Sequence, residues 1–230
     1  MSFQKILSPL YPLIINYFNV SVSGLENISP SKNYIFTANH QSILDVPLIF
    51  SLLALRTNRK IHILISHRFY RALWLITRPL GMISIRMDKG TQSSTDHNLR
   101  SLALSQEKLG EGDCLLIFPE GIITGGQTSQ IIKGGTGAVR LSLLSHVPII
   151  PIGIRGSNHV HPYLLKNRLP FYFKRHLPIV IKIGKEINFP AHPGLDLSSH
   201  TEPNRLLLRS LTNNLMARFS KLSGLPLVDN

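Results

Sequence analysis

The chain has 230 residues, 43% of them hydrophobic, with 25 Lys and Arg set against 12 Asp and Glu for a formal net charge of +13. That length and apolar share suit one domain around one sizeable core, and the charge points to an anionic partner. A mean hydropathy of +0.10, high for so basic a chain, turns the reading from nucleic acid toward acidic lipid.

Ile6 to Leu25 carries no charge, but Pro9, Pro12, Asn16 and Asn19 interrupt it as a membrane span. Leu7, Leu10, Leu13, Ile14, Tyr17 and Phe18 fall at roughly helical spacing. Two roles fit such a helix: lying in the membrane interface, or capping the protein's own core. The expected division is residues 1–20 as a membrane-associating N-terminal helix and 21–230 as one further domain. No A-x-A-like cleavage site follows a clean apolar stretch, so no secretory signal is expected.

Tyr34–Ala38 reads as a strand ending at Asn39-His40, followed by an apolar helix over Val46–Leu55 that Ser42 or Asp45 is placed to cap. Ile61–Ile65 is the next strand, Arg68–Thr77 an aromatic and basic helix, and Met82–Ile85 a third strand. Asn98–Leu109 is helical by spacing and stops at Gly110 and Gly112. Strand Cys114–Phe118, helix Thr136–Ser145, strand Val147–Ile154, strand Ile179–Ile183 and helix Pro203–Leu222 complete the chain. Continuously apolar strands alternating with helices predict an α/β fold: a single domain whose mostly parallel central sheet is flanked by helices.

The only cysteine, Cys114, lies in an apolar run, reads as a buried strand thiol and excludes an internal disulfide. Val46 to Met87 holds seven Lys or Arg and no acid. Within it Trp74 and Arg68-Phe69-Tyr70-Arg71 suit a membrane interface, ahead of the alternative of a helix packed on its own sheet with a solvated basic face. Phe171–Arg175 is a second candidate contact. His159 and His161, like His62 and His67, lack a nearby carboxylate or cysteine to complete a metal set and are expected at the surface or facing lipid. Lys133-Gly134-Gly135-Thr136-Gly137 and Gly125-Gly126 do not fit a phosphate-loop pattern, because the lysine precedes its glycines.

Two carboxylates stand alone. Between Glu26 and Asp88 the only acid is Asp45, and after Glu120 none appears until Glu186. His40 and Asp45 are five apart, about 140° on a regular helix, so a loop-to-helix junction is required if they are to meet. Asp45 could then accept from one imidazole nitrogen and leave the other as a general base. A third triad member is not required if the nucleophile is a substrate hydroxyl. His40 and Glu120 both follow strands, where reactive groups of parallel sheets gather. Taken alone, the His–Asp pair fits structural hydrogen bonding better than catalysis.

In combination the blocks are specific. Asn39-His40 through Asp45 resembles the NHxxxxD block of the glycerolipid acyltransferases related to bacterial 1-acylglycerol-3-phosphate acyltransferase. Phe118-Pro119-Glu120-Gly121 resembles their FPEG block, and Val147–Ile152 their VPxxPV-type block, joined by a Lys133–Leu141 segment that also looks familial. The resemblance runs from about Ser21 to Lys185 and makes 21–230 an acyltransferase domain.

What it implies is transfer of a fatty acyl group from acyl-CoA or acyl-carrier-protein to a lysophospholipid hydroxyl, with 1-acyl-sn-glycerol 3-phosphate giving phosphatidic acid. His40 would be the base and Asp45 its orienting partner. Glu120 would hydrogen-bond an acceptor hydroxyl, Gly121 would allow close approach, and Arg86 would serve the acceptor phosphate, with Lys133, Arg140 or Arg155 as candidate substitutes for the arginine the family carries after FPEG. No metal or cofactor is implied. The enzyme is expected on the cytoplasmic face of the cell membrane, peripheral or monotopic, on an anionic lipid surface and without nucleic acid.

Two departures stand out. Arg86 falls one position earlier than the family's second block places its arginine, and Ile122-Ile123-Thr124 replaces the usual Thr-Arg-Ser after FPEG. A different acceptor head group is therefore an alternative. From other classes, a non-catalytic basic module binding lipid or nucleic acid, and an esterase or thioesterase using water, also remain open.

Overall fold

A computed structural model describes residues 9–87, 91–124, 129–161, 174, 176–190 and 202–228. Met1 to Ser8 of the N-terminal segment, Gly125-Gly126, and Phe171–Phe173 with Arg175 lie outside the described residues. Among the described residues seven strands form one sheet: β1 (Val20–Ser23), β2 (Ile35–Ala38), β3 (Ile61–Ser66), β4 (Ile83–Ile85), β5 (Cys114–Ile117), β6 (Ile149–Arg155) and β7 (Ile179–Ile183). Their order is β1-β7-β6-β2-β5-β3-β4. Every pairing is parallel except β6 with β7, so the predicted parallel sheet holds across β6 to β4 while β7 and β1 run the other way.

The helices are α1 (Leu10–Tyr17), α2 (Asp45–Arg56), α3 (His67–Ala72), α4 (Trp74–Thr77), α5 (Gln92–Gly110), α6 (Gly137–Ser145), α7 (Ser157–Val160) and α8 (Glu202–Ser223). Because side chains alternate across a strand, Leu116 faces the core under α1 and α2, while Leu115 and Ile117 face the core under α5, α6 and α8. Both faces are thus covered, which explains why the strands lack polar alternation.

Three elements depart from their sequence reading. The single helix expected over Arg68–Thr77 breaks at Leu73 (φ −117°, ψ 32°), where the Thr77 hydroxyl donates to the Tyr70 carbonyl at 3.1 Å. Helix α5 begins six residues before Asn98, with the Thr91 side chain at its N-cap accepting from the Ser94 N–H. Strand β1 emerges from the uncharged N-terminal stretch and pairs with β7.

Helix α1 packs one side on the core of the domain. Tyr11 is buried and sets its ring edge-on to Phe50 of α2 at 5.7 Å, while Leu10, Leu13 and Tyr17 face outward. The histidines also differ from expectation. His62 is buried between the Gly81 carbonyl (2.6 Å) and the Asp113 carboxylate (2.9 Å), and His161 is buried too, so neither lies at the surface.

Cys114 is fully buried in β5, and that burial pushes its thiol up to about 11. Native protein at neutral pH is expected to resist a thiol-alkylating reagent that modifies the urea-unfolded chain completely. Mass spectrometry of the two samples reads this directly.

Candidate active site

Parallel pairing sets the site's position. Strand β2 lies between β5 and β6, with Thr37 opposite Ile117 and Ala38 opposite Ile152, so the loops leaving β2 and β5 emerge side by side. His40 leaves the first and Glu120 the second. The two meet: Glu120 Oε2 accepts the His40 backbone N–H at 2.6 Å.

Asp45 is the first residue of α2 and is completely buried. No side chain caps that helix from outside; instead the Asp45 carboxylate folds back over the preceding turn. Its Oδ2 accepts the backbone N–H of Gln41 (2.6 Å) and of Ser42 (2.8 Å), and stands 3.0 Å from His40 Nδ1. An oxygen already accepting two N–H bonds is an acceptor for the third, so Nδ1 carries the proton and Nε2 presents a lone pair. The helix N-terminus adds a favourable field for the negative charge. The junction required to bring His40 and Asp45 together therefore exists.

The imidazole is held on other sides as well. Phe118 stacks on it with ring centroids 4.4 Å apart and planes 30° from parallel. Thr124 donates its backbone N–H to the His40 carbonyl at 2.8 Å. Asn39 pairs through both ends of its amide with the Ile154 backbone, donating to the carbonyl at 2.9 Å and accepting the N–H at 2.8 Å. It extends the β2–β6 ladder by one side chain and fixes where His40 begins. Asn39 and Phe118 lay in the recognised blocks and Thr124 beside one, but these roles are backbone-directed or steric and carry no signature in residue type.

Glu120 is buried, and its carboxylate is engaged by the chain itself. Each oxygen already serves the chain's own backbone, Oε2 at His40 and Oε1 at the Ile132 N–H, 3.2 Å away. Burial raises its pKa to about 8, against the lowering effect of those two N–H donors and with a smaller upward push from Asp45. In the unfolded chain the group titrates near 4.5. Between the two values the folded chain holds a proton that the unfolded chain has released, so each rise in pH favours unfolding; below that window the penalty is absent, and above it full and constant.

The stability lost across pH 5 to 9 from this group is on the order of 4 kcal/mol. Glu120→Gln lacks that slope. Urea unfolding midpoints of wild type and variant across this pH range are expected to converge at the acid end and separate as pH rises.

Gly121 has φ +70°, closing a turn in which its N–H donates to the Phe118 carbonyl at 3.0 Å, and a Cβ there would strike the Met87 methyl. The close approach at Gly121 is thus by Met87. Next to Met87, Arg86 leaves the end of β4 with its backbone paired to the Asn98 amide at both the N–H (2.8 Å) and the carbonyl (2.9 Å). Its guanidinium donates to the Ser93 hydroxyl at 2.7 Å. Lys133 is exposed on the loop that follows Ile132, and Arg209 and Pro119 hold that loop through the Gly134 carbonyl and Gly135 N–H. The neighbours of Arg86 and Lys133, Met87 and Gly134-Gly135, both approach the Pro119–Gly121 turn.

A family model described as Acyltransferase matches residues 19–155, well over half of the chain and inclusive of His40, Asp45 and Glu120. The chain belongs to the acyltransferase family. Among curated relatives, this acyltransferase is 27% identical over 158 residues to the chloroplastic 1-acyl-sn-glycerol-3-phosphate acyltransferase of Brassica napus, covering 66% of this chain and 41% of that protein. It is 28% identical over 148 residues to a 1-acyl-sn-glycerol-3-phosphate acyltransferase of Chlamydomonas reinhardtii, covering 64% and 41%. The chain thus spans about two fifths of the length of the curated relatives it matches. The crystal structure of the 1-acyl-sn-glycerophosphate acyltransferase PlsC from Thermotoga maritima superposes with a TM-score of 0.58 at 21% identity, covering 94% of this chain and 79% of that one. At that identity the likeness is one of fold: a single α/β domain with a mostly parallel sheet flanked by helices.

Proposed function

We propose that this acyltransferase moves a fatty acyl group from an acyl-CoA or acyl-carrier-protein thioester to the free hydroxyl of 1-acyl-sn-glycerol 3-phosphate, yielding phosphatidic acid. The observation that carries the proposal is the His40–Asp45 pair at 3.0 Å with Nε2 turned away from Asp45, set against Glu120 at adjoining strand ends. The names of the chloroplastic and algal relatives supply the acceptor class.

In this reading His40 Nε2 takes the proton of the acceptor hydroxyl as its oxygen attacks the thioester carbonyl. Asp45, fixed by two backbone N–H groups, stabilises the imidazolium that forms. Collapse of the tetrahedral intermediate breaks the C–S bond, and the imidazolium returns the proton to the departing thiolate. Products are an ester and a free thiol carrier, and no oxidant, reductant or metal enters the balance. Glu120 holds the His40 backbone in place, and the remaining lone pairs on its oxygens are what an acceptor hydroxyl would meet. Arg86, steadied by Ser93 and Asn98, and Lys133 are assigned to the acceptor phosphate.

The enzyme is assigned to the cytoplasmic face of the cell membrane as a peripheral or monotopic protein. Among the described residues no helix is long and apolar enough to cross a bilayer. A second reading has a specific observation behind it: Ile122-Ile123-Thr124 stands where the resembled family carries an arginine, which favours an acceptor with another head group. Incubating the purified chain with acyl-CoA or acyl-carrier-protein thioester and a panel of lysolipids, with products read by mass spectrometry, decides between them. Phosphatidic acid as the dominant product supports the first reading, and a different diacyl lipid the second. No acylated lipid with any acceptor overturns both.

A further inference from the structure

The corner where α3 meets α4 is exposed over six successive residues, Arg71 to Ile76. Four of them are the apolar Leu73, Trp74, Leu75 and Ile76, with Leu75 70% and Trp74 54% exposed, and Phe69 is exposed beside them. A soluble surface rarely gathers such side chains at one turn. Nor is the corner loosely attached. Thr77 is buried and bonded to the Tyr70 carbonyl, the Met82 N–H donates to the Thr77 carbonyl at 2.9 Å, and Leu80 is buried just beyond. The fold holds these apolar groups outward.

Their setting is cationic. Arg68, Arg71 and Arg78 are exposed around the corner, and among the described residues none of the three pairs with a carboxylate. No acid occurs between Asp45 and Asp88. A second copy of this chain would bring the same unneutralised arginines against them. An acidic protein would match the charge but leave the aliphatic tip unexplained. A bilayer with anionic head groups meets both features, taking arginine at the phosphates and Trp and Leu at the acyl boundary.

We propose that the α3–α4 corner is a docking element for an anionic lipid bilayer, entering the head-group layer with Trp74 and Leu75 at its tip. Helix α3 starts directly after the carboxyl end of β3, the same end of the sheet from which His40 and Glu120 emerge, so docking presents the active-site edge to the lipid. The purpose of the device rests on the proposed acyl transfer; the docking itself does not.

Trp74 is the chain's only tryptophan, so its emission reports on this corner alone. Full-length protein is titrated with vesicles of phosphatidylglycerol and phosphatidylcholine, and separately with phosphatidylcholine alone. The expected result is a blue shift with the anionic vesicles, quenched when the lipids carry brominated acyl chains and weakened by salt. Leu75→Asp, at an exposed position where folding is unaffected, should lower the partition coefficient roughly tenfold or more by cosedimentation. Arg71→Gln should lower it roughly fivefold. Acyl transfer to a short-chain, water-soluble lysolipid should be the same in Leu75→Asp and wild type.

An unmoved Trp74 emission, undiminished vesicle binding by Leu75→Asp, or an equal shift produced by acyl carrier protein or by self-association without lipid overturns the docking proposal. If transfer occurs while Trp74 stays silent, docking fails and the enzymatic reading stands. If Trp74 inserts while no acceptor is acylated, docking stands and the enzymatic reading fails.

Discussion

His40→Ala is expected to lower acyl transfer roughly 10³- to 10⁴-fold while leaving a folded protein. The loss falls on kcat, because the missing group accepts a proton only as the acceptor oxygen attacks. The fold survives because most of what this loop contributes is made by its backbone. The N–H of residue 40 still donates to Glu120, and its carbonyl still accepts from Thr124. What disappears structurally is the ring stacked on Phe118, worth about 1 kcal/mol, and the Nδ1 hydrogen bond to Asp45, whose Oδ2 keeps the two backbone N–H groups of Gln41 and Ser42. Kinetics beside circular dichroism and a urea titration check both halves of the expectation.

Asp45 separates charge from hydrogen bonding when two substitutions are compared. In Asp45→Ala the N–H groups of Gln41 and Ser42 and the His40 Nδ1 all lose their acceptor in a fully buried position, so stability falls by roughly 2–4 kcal/mol along with activity. In Asp45→Asn one carbonyl oxygen can replace Oδ2 for the same donors, so stability falls less than in Asp45→Ala. Without the negative charge the imidazolium is unsupported, and turnover falls roughly 10²- to 10⁴-fold. Matched activity losses with unmatched unfolding midpoints are the signature. A stable Asp45→Asn protein that retains wild-type turnover would remove Asp45 from the chemistry.

The fold was legible wherever periodicity reached the core. Strand Ile61–Ser66 and helix Asp45–Arg56 present apolar positions that only burial explains, and both appear where the spacing puts them. The reversal of β7 and β1 was not legible, because strand direction is decided by pairing with a distant partner. The start of α5 was hidden by Gln92 to Asp96, a polar run without an apolar face, and only the Thr91 cap marks it. The break at Leu73 escaped for a related reason: a helix with no buried stripe has no period to interrupt.

That His40, Asp45 and Glu120 meet was legible, because the two lone carboxylates are conspicuous in acid-free stretches and parallel strands place His40 and Glu120 at one end. How Glu120 is used was not legible, since its two partners are backbone N–H groups 80 and 12 residues away in the chain. The same holds for Asn39, whose amide completes a ladder with Ile154 that no local pattern announces.

The central claim is that His40 activates a lipid hydroxyl rather than water. Running the reaction of wild type with acyl-CoA and 1-acyl-sn-glycerol 3-phosphate in water enriched in oxygen-18 tests it most directly. The account predicts that consumed thioester appears as unlabelled diacyl ester, its new ester oxygen coming from the lysolipid, with no labelled fatty acid above the His40→Ala background. Oxygen-18 fatty acid as the main product would contradict it and make the same histidine the base of a hydrolase.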